Sequence, residues 1–121
     1  MEKIKSFTDL KAWQEAHKMV LGIYRATLGF PKYEVRGLSD QIRRAAVSVS
    51  SNIAEGFSRR SNLEKKQFYY LSLGSLTEVQ NQMLIGRDVG YLKIEDFKKL
   101  AELSVGVSKL INSLIKFLNN Y

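Results

Sequence analysis

The amino-acid sequence predicts an all-α protein, an antiparallel four-helix bundle with up-down-up-down topology. Apolar residues recur at steps of three and four along four long segments, which is the spacing of one face of an α-helix. The 121 residues include one proline, and turn signals are few and far apart, which disfavours a fold of many short strands. The length is sufficient for one domain, residues 1–121, to bury a core without disulfides or metals.

The first helix is predicted from Thr8 to Leu28. Before it, Ser6 and Asp9 have the spacing of a capping box, in which each side chain bonds the backbone N–H of the other residue. The predicted core stripe consists of Leu10, Trp13, Ala16, Val20, Ile23, Tyr24 and Thr27. Gly29 and Pro31 end the helix, because glycine is a common cap and proline lacks the N–H that a further turn requires.

The second helix is predicted from Leu38 to Phe57, with Gly56 as its stop signal. Its apolar stripe consists of Ile42, Ala45, Ala46, Val49 and Ile53. A second stripe of small, uncharged groups lies beside the first and consists of Val47, Ser50 and Ala54. Since a helix with two uncharged faces is expected to be covered on both, this segment is predicted to be the central helix of the bundle.

The third helix is predicted from Ser61 to Val89, with Gly90 as its cap. Ser61 and Glu64 form an S-x-x-E capping box at its start. The predicted core stripe consists of Leu63, Phe68, Leu71, Ser75, Leu76, Val79 and Met83.

Charge is scarce along this third helix. Glu78 is the only charged residue from Gln67 to Gly86, whereas a solvent-facing helix normally carries several charges. More than one side of the helix is therefore expected to be covered. Gly74 lies in its middle, at a cost of about 1 kcal/mol relative to alanine. That cost indicates a close approach by another backbone at this position.

The fourth helix is predicted to begin near Lys93 and to run to the end of the chain. Glu95 and Asp96 lie in its first turn, where the helix dipole favours negative charge. Its apolar residues keep near-heptad spacing, and they are Phe97, Leu100, Leu103, Val107, Leu110, Ile111, Leu114, Phe117 and Leu118.

Composition excludes several classes of protein. The chain has no cysteine, so it has no disulfide, no thiolate metal site and no cysteine nucleophile. The N-terminal charges have no apolar run behind them, which is unlike a secretory signal. No stretch approaches the roughly 18 uncharged apolar residues of a membrane span. These features favour a cytoplasmic protein without a membrane partner.

No group of residues predicts catalysis or metal binding. His17 is the only histidine and has no carboxylate at i+4, so it is interpreted as a surface residue. Di-iron bundles need Glu-x-x-His pairs on two helices, and this chain has none. Glu15, Glu55 and Glu78 could act in acid–base catalysis only together with other groups. Apart from His17, the sequence offers no histidine, cysteine or phosphate-binding loop to accompany them. The chain is therefore expected not to be an enzyme and to need no cofactor.

Polar residues of the second helix are interpreted as structural. Glu55 and Glu78 are expected to form ion pairs with arginines, namely Arg43, Arg44 or Arg87. The Ser, Asn and Glu groups from Ser48 to Glu55 look like a site, but they are expected to hold helix ends and neighbouring helices in place.

Basic residues flank both ends of the second helix. The net charge is +7, and a moderately basic domain often binds nucleic acid or an acidic partner. The candidate nucleic-acid contacts are Arg36, Arg43, Arg44, Arg59, Arg60, Lys65 and Lys66. Tyr33, Tyr69 and Tyr70 are candidates for stacking on bases. Such binding goes mostly through phosphates and depends on salt. The alternative is a solvated surface whose charge serves solubility alone.

The segment from Arg43 to Gly56 closely resembles a family motif. It reads R-R-A-A-V-S-V-S-S-N-I-A-E-G. The bacterial four-helix-bundle proteins encoded in intervening sequences of 23S rRNA genes typically read R-R-A-A-V-S-I-P-S-N-I-A-E-G. Val49 and Ser50 stand where that family has isoleucine and proline. Because proline disrupts a helix interior, Ser50 is expected to make this helix straighter.

Shorter matches extend the resemblance over nearly the whole chain. Phe7 to Trp13 is similar to the family's F-x-D-L-x-x-W segment, and Phe30-Pro31 matches its first turn. Gly74 to Leu76, together with Glu78, resembles its third helix, and Gly90 to Leu92 resembles the turn that follows.

The resemblance implies a four-helix bundle that assembles as a ring-like homopentamer. The family is similar to the accessory variability determinant of diversity-generating retroelements, a basic pentamer that works with a reverse transcriptase and RNA. No enzymatic activity and no catalytic residue are implied. The uncharged faces of the second and third helices are predicted to form the contacts between subunits.

Two hypotheses of function follow from these observations. The first is a non-catalytic homo-oligomer whose basic surface binds RNA or DNA, within a ribonucleoprotein or reverse-transcriptase complex. The second is a protein–protein scaffold without a nucleic-acid ligand. A small enzyme or metal-binding bundle is least favoured, because the chain lacks the ligands.

Overall fold

A computed structural model describes residues 3–120 and contains four helices: α1, Lys11–Thr27; α2, Leu38–Ser58; α3, Asn62–Asp88; and α4, Ile94–Asn119. No strand occurs in this part of the chain, so the prediction of an all-α protein is confirmed. Consecutive helices pack against one another, and α1 also packs against α4. With short connections, these neighbours fit an up-down-up-down bundle.

The second helix is not central to this arrangement, contrary to the prediction. It lies between α1 and α3, as each helix lies between two neighbours, and its contact with α3 is the most extensive one in the bundle. The residues of its first stripe are buried, whereas Val47 of the second stripe is 38% exposed. Ser50 and Ala54 of the second stripe are half-buried. The second stripe therefore lies at the edge of the core and not within it, because four helices enclose only one core.

The capping box at the N-terminus is confirmed, but it caps a short 3₁₀ helix, Phe7–Asp9. An Asp9 carboxylate oxygen accepts from the backbone N–H of Ser6 at 3.0 Å, and Ser6 Oγ accepts from Thr8 N–H at 3.2 Å. Leu10 is extended, with φ −74° and ψ 128°. Helix α1 therefore begins at Lys11, three residues later than predicted.

Two glycines have roles opposite to those predicted. Gly56 does not end α2, which continues to Ser58. It is buried, and a Cβ at this position would lie 2.6 Å from Cε1 of Tyr69. Gly74, where a close approach was expected, has nothing within 4 Å of an added Cβ and lies on the exposed side of α3. The close contact between α2 and α3 is therefore made at Gly56.

The core is made by the inward faces of all four helices. On α3 the buried residues are Tyr69, Ser72, Leu76, Val79, Met83 and Gly86. Leu63 and Leu71, which were predicted to lie in this stripe, are 66% and 57% exposed. Because both sides of α3 are poor in charge, its sequence pattern does not distinguish the buried side from the exposed one.

The end of α3 follows the prediction. Gly90 has φ +86°, a left-handed conformation that favours glycine. The N–H of Tyr91 donates to the carbonyl oxygen of Gly86 at 2.9 Å, and the N–H of Gly90 donates to that of Arg87 at 3.1 Å. These two bonds form a Schellman motif, which stops the helix and turns the chain toward α4.

We expect Gly56→Ala to destabilise the protein by about 1–3 kcal/mol, because the new methyl group would overlap the Tyr69 ring. The matched control is Gly106→Ala in α4, where no atom lies within 4 Å of the added Cβ. That variant should gain up to about 1 kcal/mol. Urea denaturation measures both, and equal effects of the two substitutions would contradict the close contact.

Candidate nucleic-acid interface

The structure divides the seven predicted basic residues into two groups. Arg36, Arg43 and Arg44 lie at the start of α2, whereas Arg59, Arg60, Lys65 and Lys66 lie at the connection from α2 to α3. We refer to the latter four as the turn cluster. Helix α2 has 21 residues and is therefore about 32 Å long, so the two groups lie at opposite ends of the bundle.

Arg43 is bound within the protein. Its Nε donates to Oγ1 of Thr27 at 2.8 Å, and its guanidinium lies over the Tyr24 ring, 4.8 Å from the centroid. Thr27 is only 4% exposed, and its hydroxyl in turn donates to the carbonyl oxygen of Ile23 at 2.7 Å. Arg43 therefore joins α2 to α1, which leaves fewer of its donors for a ligand.

The other two residues of this end face solvent. Arg44 forms an ion pair with Asp40 at 3.1 Å, one helical turn earlier, and its side chain is 80% exposed. Arg36 is exposed in the turn before α2. The exposed ion pair of Arg44 contributes little to stability. Because Arg36 and Arg44 are both exposed, both are accessible to an anion.

In the turn cluster, Arg59 is partly engaged and Arg60 is exposed. An Nη atom of Arg59 lies 3.2 Å from a carboxylate oxygen of Glu55, and the guanidinium lies over the Phe68 ring at 4.5 Å. Its Nε–H is buried and has no acceptor among the described residues. That donor is not accessible to a ligand, so Arg60, which is exposed, is the more accessible of the two arginines.

The two lysines of the cluster connect helix ends. Lys65 Nζ donates to the carbonyl oxygen of Phe57 at 2.6 Å, near the C-terminus of α2, where cations are favourable. Burial lowers the pKa of Lys65 from its ordinary value of 10.5. Lys66 Nζ donates to Oδ1 of Asn119 at 2.9 Å, near the C-terminus of α4.

Positive charge accumulates around the turn cluster. The N-terminal segment and the end of α4 reach the same end of the bundle, since Ile4, Lys65 and Leu118 line one cavity. Residues 3–11, 55–66 and 112–120 contain eight cations and three carboxylates. The cations are Lys3, Lys5, Lys11, Arg59, Arg60, Lys65, Lys66 and Lys116, and the carboxylates are Asp9, Glu55 and Glu64. This excess creates a positive potential that attracts anions.

The three candidate tyrosines are separated by the fold. Tyr69 is 3% exposed, so it is a core residue and not a stacking platform, contrary to the prediction. Tyr70 is exposed on α3. Tyr33 is exposed at the other end of the bundle, and its hydroxyl lies 2.9 Å from that of Tyr91. The hydrogen bond with Tyr33 raises the pKa of Tyr91 to about 12.

The polar residues of the second helix bond to α3 and to one another. Ser48 Oγ lies 2.8 Å from Ser75 Oγ, and Asn52 donates to the carbonyl oxygen of Ser48 at 2.9 Å. In the core, Ser72 Oγ donates to the carbonyl oxygen of Val49 at 2.7 Å. These bonds fit the structural role predicted for this run of polar groups.

The predicted ion pairs of Glu55 and Glu78 are wrong. Glu55 pairs with Arg59, one turn later in the same helix. The predicted partners pair with carboxylates near them in sequence, Arg44 with Asp40 and Arg87 with Asp88 at 2.8 Å. Within residues 3–120, no ion pair involves Glu78. The pairs Asp40–Arg44 and Glu55–Arg59 form because residues one turn apart share a helix face, whereas Arg87 and Asp88 are neighbours in sequence.

His17 is exposed and stacks on the Trp13 ring, with 4.7 Å between centroids. No group of three or more His, Asp or Glu side chains in the described part of the chain is arranged to hold a metal ion. Along residues 3–120, none of the helices has the length and apolar character required to cross a bilayer.

The fold and the charged ends define a small, basic four-helix-bundle protein. The model of the 23S rRNA-intervening sequence protein family matches residues 8–113, and the chain therefore belongs to this family. The resemblance seen in the motif from Arg43 to Gly56 is thus confirmed.

A solved structure has the same fold. It is the 1.70 Å crystal structure of a protein of unknown function from the S23 ribosomal protein family of Bacteroides thetaiotaomicron VPI-5482. The two chains share 19% identity with a TM-score of 0.77, over 87% of this chain and 98% of that one. No curated protein matches this chain. At this identity the likeness establishes the fold alone.

We expect Arg43→Ala to lower the free energy of unfolding by about 1–3 kcal/mol, because Thr27 would lose a charged donor at a buried site. The neighbouring Arg44→Ala is the control and should cost less than about 1 kcal/mol, since its ion pair is exposed. Urea denaturation of both variants measures the difference. Equal losses would show that Arg43 is as dispensable as Arg44.

Proposed function

We propose that this protein is a non-catalytic homo-oligomer that binds nucleic acid, RNA or DNA, through the basic end that contains the turn cluster. The observation that carries the proposal is the collection of eight cations against three carboxylates at that end. Membership of a family named for 23S rRNA intervening sequences supports a nucleic-acid partner. The resemblance adds a reverse transcriptase as a candidate protein partner, in the cytoplasm.

Phosphate contacts are the chemistry that this end supports best. Arg60 has an exposed guanidinium, whose planar set of donors matches a phosphate group. Lys66 holds only the Asn119 amide oxygen, a neutral acceptor that a phosphate can replace. Because such contacts read charge and not base edges, binding is expected to be largely independent of sequence.

Self-association is supported by the outer face of α3. Tyr70, Leu71, Leu84 and Ile85 are exposed there, and Gly74 lies among them with open space around it. Exposed apolar patches rimmed by polar residues mark interaction sites. A second copy of this chain would remove that surface from water.

A second apolar patch favours a ring. Leu21, Tyr24 and Leu28 lie one turn apart on α1 and are exposed, and Val47 of α2 is exposed near Tyr24 and Arg43. Contact between two different patches is heterologous, and heterologous contacts close into rings when the rotation permits. A pentamer is the ring that the family resemblance implies.

A protein–protein scaffold is the second candidate function. The outer face of α3, where Glu78 is the one charged residue from Gln67 to Gly86, favours it, because the same surface fits a different protein as well as another copy. The scaffold requires no role for the turn cluster beyond solubility. The salt dependence of nucleic-acid binding therefore separates the two functions.

We expect the double variant Arg60→Ala/Lys66→Ala to bind nucleic acid more weakly and with a flatter salt dependence. Removal of one cation from a phosphate should reduce the slope of log K against log salt by about 0.9 for duplex DNA or about 0.7 for single strands. Fluorescence anisotropy with a 23S rRNA fragment and with duplex DNA, between about 50 and about 200 mM salt, measures this slope.

The matched control for this experiment is Arg36→Ala/Lys93→Ala, which removes two exposed cations from the other end of the bundle. Its slope should remain that of the unmodified protein. Absence of binding to either nucleic acid at low salt would refute the function and favour the scaffold. Equal effects of the two double variants would refute the assignment of binding to the turn cluster.

We expect Leu71→Glu to dissociate the oligomer, because a carboxylate would be placed within an apolar contact between subunits. Val105→Glu on α4 is the control, since that residue is exposed to a similar degree on another face. Multi-angle light scattering measures both masses. An unmodified protein with the mass of a single chain at micromolar concentration would disprove self-association.

A further inference from the structure

A small cavity lies beneath the basic end of the bundle. Its volume is about 240 Å³, and three of the four helices and the N-terminal segment contribute to it. Its lining residues include Leu10, Phe57, Lys65, Tyr69, Leu114 and Leu118. Apart from Lys65, these side chains present aliphatic or aromatic groups. The exposed wall of the cavity is therefore almost entirely apolar, and Lys65 is the one cationic residue in it.

The volume is suited to a small apolar group. An apolar protein cavity of about 150 Å³ holds benzene. A cavity of 240 Å³ is larger than that and accommodates an alkyl chain of about eight carbons. Filling it would remove apolar surface from water, which is the main driving force for binding at such sites.

Lys65 determines which end group such a chain should carry. Its ammonium has three N–H donors. One donates to the carbonyl oxygen of Phe57 at 2.6 Å, and a second makes a longer bond of 3.5 Å to that of Gly56. The third donor has no hydrogen-bond acceptor within the described residues. A carboxylate there would gain a charge-assisted hydrogen bond.

The surrounding charge also favours a negatively charged end group. Among the described residues, eight cations and three carboxylates occupy this end of the bundle, so a negative ligand is attracted and a positive one is repelled. Partial burial lowers the pKa of Lys65, and an anion beside its ammonium would offset that loss of solvation. Apolar walls and a positive rim together are complementary to an anionic amphiphile.

We propose that this cavity binds the alkyl chain of a free medium-chain carboxylate, with the carboxylate on the Lys65 ammonium. The proposal does not rest on nucleic-acid binding, for which Arg60 and Lys66 on the outer surface of the same end are the proposed contacts. Lys65 is the one residue that the two proposals share. It also differs from a lipid-surface contact, since the volume of the cavity limits it to one short chain.

The test is a titration of the full-length protein with octanoate and with 1-octanol, followed by amide chemical shifts in NMR. We expect octanoate to shift residues that line the cavity and to bind about tenfold more tightly than octanol. Equal affinities would overturn the role of the anion and indicate a general apolar site. Absence of shifts with either ligand at millimolar concentration would overturn the site.

Two variants and a control complete the test. Lys65→Met keeps the apolar stem and should abolish the preference for octanoate, whereas Lys116→Met removes an exposed cation of the same end and should preserve it. Leu114→Trp fills the cavity and keeps Lys65, so this variant should bind neither octanoate nor octanol. It tests the site separately from Lys65→Met, whose result would be lost if that variant folded poorly. Octanoate bound by Leu114→Trp as by the unmodified protein would contradict the site. The affinity of Leu114→Trp for nucleic acid should equal that of the unmodified protein. Loss of octanoate binding alone would then distinguish the cavity from the nucleic-acid surface.

Discussion

The packing of α2 against α3 is the contact on which the rest of the structure depends. Gly56 allows the Tyr69 ring to lie against the α2 backbone, where any side chain would collide with it. Ser72 donates to the carbonyl oxygen of Val49 across the same interface, inside the core. Since a buried hydroxyl needs a partner, this bond also specifies how the two helices are aligned. Short side chains let helices approach closely, and the distance between axes depends on them.

The same contact positions the charged end of the molecule. Three residues connect α2 to α3, and Lys65 reaches back from α3 to the carbonyl oxygen of Phe57. One side chain thus stabilises the end of α2, contributes positive charge to the surface and lines the apolar cavity. Arg59 and Arg60 are carried on the connection itself. The stability of the turn and the ligand binding proposed for this end therefore depend on the same side chain.

In the proposed ring, the two faces of α3 provide the core and the subunit contact, and the ends of the bundle provide the charge. The inward face builds the core, and the charge-poor outward face, which includes Leu71 and Gly74, would meet another copy. The cations are concentrated near helix ends and remain available. Repeating the basic end around a ring multiplies phosphate contacts without any new residue, and linked contacts bind more tightly than single ones.

The sequence by itself determined the four helices, the capping box at Ser6 and the stop at Gly90, because periodicity and caps depend on residues within a few positions. The candidate basic residues were also visible as charge at the ends of α2. Only the tertiary structure decided that Tyr69 is buried while Leu71 is exposed, and that Arg43 binds Thr27. These outcomes depend on partners distant in the chain. A helix with two uncharged sides does not specify which side faces the core until its neighbours are in place.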